Sequence, residues 1–331
     1  MTESGTKPMS VTDANKTEVP GTESGAPAGQ HAMLPIRDIA QRTGVNPVTL
    51  RAWERRYGLL VPARTGKGHR LYSEADVQRV REIQAWLARG VPIGKVRPLL
   101  ERGDDGERTA GEQEQGDTWA RSVQETIDVA LRFQPAALQQ HLEQLLSAYP
   151  PALLLDCWLA PLHRDLSRRT RFGSSVLRSY FWEQLNGQLA LMLRSGQRNL
   201  SGQAGSGRLL LVSFPGAEQQ AFAALFGAGL LAAGIDILHL GPVDEMPELP
   251  YAVEKLQARG VICFSHNALP MAAFGSGAER ALRNMRAPVW FAGGIVELQK
   301  RDLVRLAEAG RGRLLPASGA QAIEELREDL S

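Results

Sequence analysis

Between Met33 and Tyr72, eight basic side chains (Arg37, Arg42, Arg51, Arg55, Arg56, Arg64, Lys67, Arg70) meet only two acids, Asp38 and Glu54, a net +6 within forty residues. Cationic groups at that density bind phosphate oxygens, and the planar fork of arginine also matches the acceptor edge of guanine. Over the whole chain the charge nearly cancels, with Lys+Arg 38 against Asp+Glu 36 and a net +2. A uniformly basic binder is excluded, so polyanion chemistry belongs to this one segment.

The elements that must carry those charges are legible. Ile36–Arg42 predicts a short helix with Ile36, Ile39 and Ala40 inward, closed by a Thr43-Gly44 turn. Asn46 is a good N-cap and Pro47 suits the first helical position, so a second helix is expected over Pro47–Tyr57. Leu50, Trp53 and Tyr57 share its inner stripe, leaving Thr49, Arg51, Ala52, Arg55 and Arg56 for the other face. Leu59–Val61 and Arg70–Tyr72 can form a hairpin around Gly66–Gly68, which brings Arg64, Lys67, His69 and Arg70 beside that face. Ser73 with Asp76 makes a capping box for a helix over Glu74–Ala88. Two short helices joined by a glycine turn, the second basic, followed by a cationic hairpin, is a winged helix-turn-helix arrangement.

Elsewhere the chain changes character. Residues 1–32 hold scarcely any large apolar residue and predict a disordered tail before a domain over residues 33–100. From Glu101 to Asp117 seven acids face two bases among four glycines, which predicts an acidic linker over 101–117. Helical periodicity resumes at Thr118, with further helices expected near Ala136–Ala148, Pro151–Leu166 and Ser174–Leu193, a four-helix bundle over 118–200. After residue 207 short apolar runs alternate with helical stretches to the C-terminus: Arg208–Phe214, Ile235–Leu240, Gly260–Ser265, Pro288–Ala292 and Arg313–Pro316. That alternation predicts five parallel strands in a flavodoxin-like, doubly wound α/β domain over 207–331. The fold class is therefore multidomain, α and α/β.

Residues 36–83, about fifty in a row, resemble the DNA-binding domain of MerR-type transcriptional regulators, most clearly in Trp53-Glu54-Arg55-Arg56-Tyr57-Gly58-Leu59 and Gly68-His69-Arg70-Leu71-Tyr72. The resemblance implies a regulator that binds double-stranded promoter DNA at an inverted repeat and acts on RNA polymerase indirectly. Asn46, Thr49, Arg51, Ala52, Arg55, Arg56, Arg64, Lys67, His69, Arg70 and Tyr72 are the expected DNA-binding residues. The long dimerisation helix that often ends such domains is interrupted here by Gly90, Pro92 and Pro98, so a homo-oligomer, dimer or tetramer, is expected to form through other parts.

A bundle and an α/β domain behind such a reader resemble the CarH-like and LitR-like cobalamin-dependent photoreceptor regulators. In that group an acidic-x-His-x-x-Gly motif follows the first strand and its His holds cobalt. Aligned on Pro215-Gly216, Gln219 replaces the His and Phe222 the Gly, and a shift by one offers Gln220 and Ala223 instead. The Trp and Glu-His signature of the bundle meets Arg169 and Ser179-Tyr180, although a one-turn slip would recruit Trp182-Glu183. Ser265 and Gly293-Gly294 match the positions that hold the cofactor's nucleotide tail. The pocket candidates are thus Arg169, Tyr180, Gln219, Ser265, Gly293 and Gly294, a degenerate set that does not bind cobalamin in the His-ligated mode. The alternative, a cobalamin-dependent light-responsive repressor, stays open beside a constitutive oligomerisation or interaction module.

Other reactive side chains read as structural. Cys157 and Cys263 fall in apolar stretches and are expected to be inert core thiols. His239 and His266 are expected to be satisfied polar residues at strand ends, and His163 part of a surface ion network with Asp156 and Asp165. No catalytic or metal constellation is visible, so an enzyme is not expected. Glycine, proline and charge break the apolar runs, which points to a soluble cytoplasmic protein with no membrane span.

Overall fold

The computed structural model describes residues 33–102, 111–200, 207–270, 277–310 and 312–330. The tail expected over 1–32 and the middle of the linker expected over 101–117 lie outside them. The first module comprises β1 (Leu34–Pro35), α1 (Ile36–Thr43), α2 (Pro47–Arg55), β2 (Ala63–Arg64), β3 (Arg70–Tyr72), α3 (Glu74–Ala88) and α4 (Ile93–Arg102). Its three strands pair antiparallel in the order β1-β3-β2, with Leu34 opposite Tyr72 and Ala63 opposite Leu71. Gly44 ends α1 in the left-handed conformation at φ 67°, which a residue with a Cβ avoids. The Asn46 side chain accepts the Thr49 amide at 2.8 Å, and Ser73 and Asp76 form the expected capping box. The first wing strand lies four residues later than expected. Leu59 and Leu60 are instead buried in the module core.

The bundle consists of α5 (Gly111–Ala130), α6 (Pro135–Ala148), α7 (Pro151–Leu154) continued by one wide π turn (Leu155–Leu159) into α8 (Ala160–Arg168), and α9 (Ser174–Leu200). Helix α5 starts seven residues before the expected Thr118, within the stretch read as linker. Glutamate and glutamine are good helix formers. Pro161 explains the π turn, because its ring displaces the carbonyl four residues earlier and it supplies no amide hydrogen.

The C-terminal sheet has five parallel strands, β4 (Leu209–Ser213), β5 (Ile237–Pro242), β6 (Gly260–Phe264), β7 (Val289–Ala292) and β8 (Gly312–Leu314), in the order β5-β4-β6-β7-β8. This is the doubly wound order expected. Its helices are α10 (Ala217–Ala232), α11 (Leu249–Leu256), α12 (Ala278–Asn284), α13 (Ile295–Leu298), α14 (Lys300–Ala309) and α15 (Gly319–Leu330). Helix α10 is buried almost all round because it lies between the sheet and α9, within one apolar core shared by bundle and sheet. A second core covers the other face. A third fills the first module and takes in Ala148 and Tyr149 at the end of α6. Asp156, in the π turn, accepts the Ser318 hydroxyl at 2.8 Å and the Gly319 amide at 3.0 Å, so the bundle caps the last helix of the sheet domain.

Candidate nucleic-acid interface

Helix α2 presents Arg51 and Arg55, one turn apart and both exposed, together with exposed Arg56 and Val48, which is 46% exposed. Thr49 and Ala52 are not on that face, a correction to the expected set. Thr49 is 0% exposed and its hydroxyl has no partner, and Ala52 is also buried. The buried stripe of α2 is wider than Leu50, Trp53 and Tyr57 because the helix is covered on a second side by α6. The Trp53 indole N–H donates to the Ala148 carbonyl at 2.7 Å, and Arg56 Nη1 stands 3.5 Å from the Ser147 hydroxyl. Tyr72 is a second correction. Its ring fills the module core, and burial pushes its phenol up to about 12, so it offers nothing at the surface.

The hairpin is held to α2 by Glu54, which the residue pattern did not single out. Arg64 Nη2 donates to Glu54 Oε1 at 2.9 Å, Arg70 Nη2 to the same oxygen at 3.2 Å, and Arg70 Nε to Oε2. Burial raises the Glu54 carboxyl, yet the hydrogen bonds and charges of Arg70 and Arg64 outweigh it and hold it below its ordinary value. The one acid among the arginines of α2 was the available signal. Arg70 is therefore a clamp, Arg64 is half exposed beside it, and Lys67 and His69 stand exposed at the hairpin tip. Glu54→Gln is expected to remove about 1–3 kcal/mol of stability at neutral pH. Because the folded carboxyl is depressed, its contribution is complete above the unfolded value of about 4.5 and is lost as the pH falls through the folded value. Urea unfolding of both proteins down the pH scale should show the gap closing in acid; a constant gap would refute the clamp.

Residues 34–103 match the family described as MerR HTH family regulatory protein. Across 217 residues, 62% of this chain and 67% of the relative, the sequence is 31% identical to the HTH-type transcriptional repressor CarH of Myxococcus xanthus. The chain belongs to the MerR family. It is also 39% identical over 135 residues to the HTH-type transcriptional regulator MlrA of Salmonella typhimurium strain LT2, and 54% over 69 residues to that of Escherichia coli K12. Those alignments cover 41% and 21% of this chain, and the chain spans about half the length of the Salmonella relative and 28% of the Escherichia coli one.

In this MerR-family chain the crevice outside the carboxyl ends of the strands, where doubly wound folds take ligands, is lined by Gln219, Phe222 and His266. Gln219 is 4% exposed and its Oε1 accepts the His266 amide at 2.9 Å, with the Ser265 hydroxyl 3.3 Å away. Ser265 also donates to the Asn267 carbonyl at 2.7 Å. The Phe222 ring stacks on His266 at 3.7 Å; His163 of α8 stands edge-on to both, and Trp182 of α9 lies 5.9 Å from His163. Burial lowers both imidazoles, His266 to about 4, so these rings meet as neutral groups at neutral pH. His163 thus belongs to a domain interface, a correction to the surface network expected of it. In the His-ligated mode a corrin takes a nitrogen ligand from this loop. The loop offers Gln219, an amide already engaged by the His266 N–H, with Phe222 stacked on His266 beside it, so these residues do not supply the His-ligated mode.

The remaining candidates are accounted for by packing. A Cβ on Gly293, whose φ is +89°, would lie 2.5 Å from the Ser265 carbonyl oxygen, and one on Gly294 would overlap the His266 carbonyl oxygen. These glycines let the loops after β6 and β7 touch. Arg169 lies 3.5 Å from Asp165, and Tyr180 packs on Phe133 at 5.1 Å with its hydroxyl buried and unpartnered. His239 Nε2 is likewise buried without a partner, against expectation. Burial pushes the Cys157 thiol up to about 11 and that of Cys263 to about 12, so both stay protonated. Among the described residues no group of three His, Cys, Asp or Glu is placed to hold a metal ion, and no helix is long and apolar enough to cross a membrane.

Proposed function

We propose that this chain is a sequence-specific DNA-binding transcriptional regulator, a homo-oligomer that reads an inverted repeat in a promoter and reaches RNA polymerase only indirectly. The exposed Arg51–Arg55 face of α2, beside a hairpin that Glu54 fastens to the same helix, is the observation that carries the reading. Arg51 and Arg55 reach base edges, while Asn46, Arg56, Arg64, Lys67 and His69 serve backbone and wing contacts. The relatives' description as regulators supports a non-catalytic, cytoplasmic role. Arg55→Ala should weaken specific binding by about 1–3 kcal/mol, whereas Lys67→Ala should lower the salt dependence by about one unit at every sequence. Mobility-shift titrations across a salt series separate the two, and unchanged isotherms for both variants would remove the assignment.

For the C-terminal half, the ring cluster of His163, Trp182, Phe222 and His266 favours a constitutive interaction module over a corrinoid-dependent switch. Full-length protein mixed with adenosylcobalamin in the dark should retain no visible absorbance after desalting, and sizing should give one mass in dark and light. Retained colour would restore the switch.

A further inference from the structure

We propose that the cleft between α2 and the body of the chain is a binding site for a small amphipathic anion, an apolar skeleton bearing a carboxylate or an equivalent acid. The cleft measures about 560 Å³ and is walled by α1, the start of α2, α6, α9 and α10. That volume lies within the span of roughly 300–1,000 Å³ usual for small-molecule sites.

The chemistry of its walls is specific. Met192, Leu231 and Leu191 supply apolar contact, and Leu191 is 57% exposed. Arg37 carries the charge: its Nε and Nη2 are buried and donate to no acceptor among the described residues. Leaving guanidinium donors desolvated and unpaired is unfavourable, and an anionic acceptor is the group that would relieve it. Arg56 lines the same cleft with only a 3.5 Å approach to Ser147, while the one carboxylate there, Glu143, is exposed. Cationic donors over an apolar floor select an acid with a hydrophobic body and disfavour a neutral molecule of the same shape.

The site also bears on regulation, a clause that rests on reading α2 as the recognition helix. Asn46, Pro47 and Val48 at its start form one wall. Since the first residues of a recognition helix enter the groove, a ligand that joins them to α6 and α9 holds them from DNA.

The probes are 8-anilinonaphthalene-1-sulfonate and its uncharged analogue N-phenyl-1-naphthylamine, titrated against the full chain without DNA. One sulfonate dye should bind per chain, at least about 10-fold tighter than the neutral one, as expected for charge-assisted hydrogen bonds. Arg37→Met should abolish that preference. Arg56→Gln, an exposed position where folding is not at stake, should reduce it by about 2- to 5-fold. Should Arg37→Met melt early, the comparison rests on Arg56→Gln. No preference for the charged dye in the wild type, or the same preference in all well-folded variants, overturns the site. In a second arm, saturating sulfonate dye should weaken binding to a duplex enriched from a random pool by about 5-fold or more. Unaltered duplex affinity overturns the coupling, and a chain that takes the dye but enriches no duplex refutes the DNA reading while leaving the site standing.

Discussion

Replacing Trp53 by alanine is expected to destabilise the chain by about 3–5 kcal/mol, the range for emptying a fully buried aromatic site. Trp53 is 0% exposed and sits in the core with Ile39, Leu50, Leu59, Val80 and Ile83. It also donates to Ala148, 95 residues further along, so the variant leaves the carbonyl that ends α6 without its donor. Trp53→Phe separates the two contributions, since it keeps most of the apolar volume and deletes only the indole N–H, and a loss nearer 1–2 kcal/mol is expected, roughly one buried hydrogen bond and a small void. Urea unfolding followed by circular dichroism of the full chain measures both. Equal losses for the two variants would mean that the tether to α6, not the ring, dominates. A loss under about 1 kcal/mol for Trp53→Ala would contradict the packing.

The second large effect belongs to Gly294. Its alanine variant should lose about 3 kcal/mol or more, because the added methyl overlaps the backbone oxygen of His266 and backbone cannot rotate aside as a side chain can. Gly293→Ala should be similarly severe, adding strain at φ +89° to a 2.5 Å approach to Ser265. The two readings of this pair diverge here. If the glycines exist to admit a ligand's tail, alanine would leave the folded chain about as stable as before; if they exist to let the β6 and β7 loops touch, thermal unfolding of the ligand-free protein shifts sharply. An unchanged melting temperature for Gly294→Ala would return the pair to the ligand.

Much of this molecule follows from chemistry that acts within four residues. The Gly44 turn, the Asn46 cap, the Ser73–Asp76 box and the alternation of apolar strands with helices depend on nearest neighbours along the chain, and they stand where residue types alone put them. The order of the five strands also follows, because short right-handed crossovers leave few ways to wind a parallel sheet. What an individual side chain faces is another matter. Helical periodicity assigns Thr49 and Ala52 to an open face, yet both are buried, and α2 is also tied to α6 through the Trp53–Ala148 hydrogen bond. Likewise Tyr72 becomes core because its ring packs among Ile39, Leu50 and Val77, Glu54 becomes a clamp because the hairpin folds back, and His163 meets His266 only where bundle and sheet are pressed together. Local order is decided by torsional preferences and hydrogen bonds that any short peptide shares. Burial, pairing and the shape of a cleft are decided by whatever lies on the far side of each residue, and only the assembled chain supplies that.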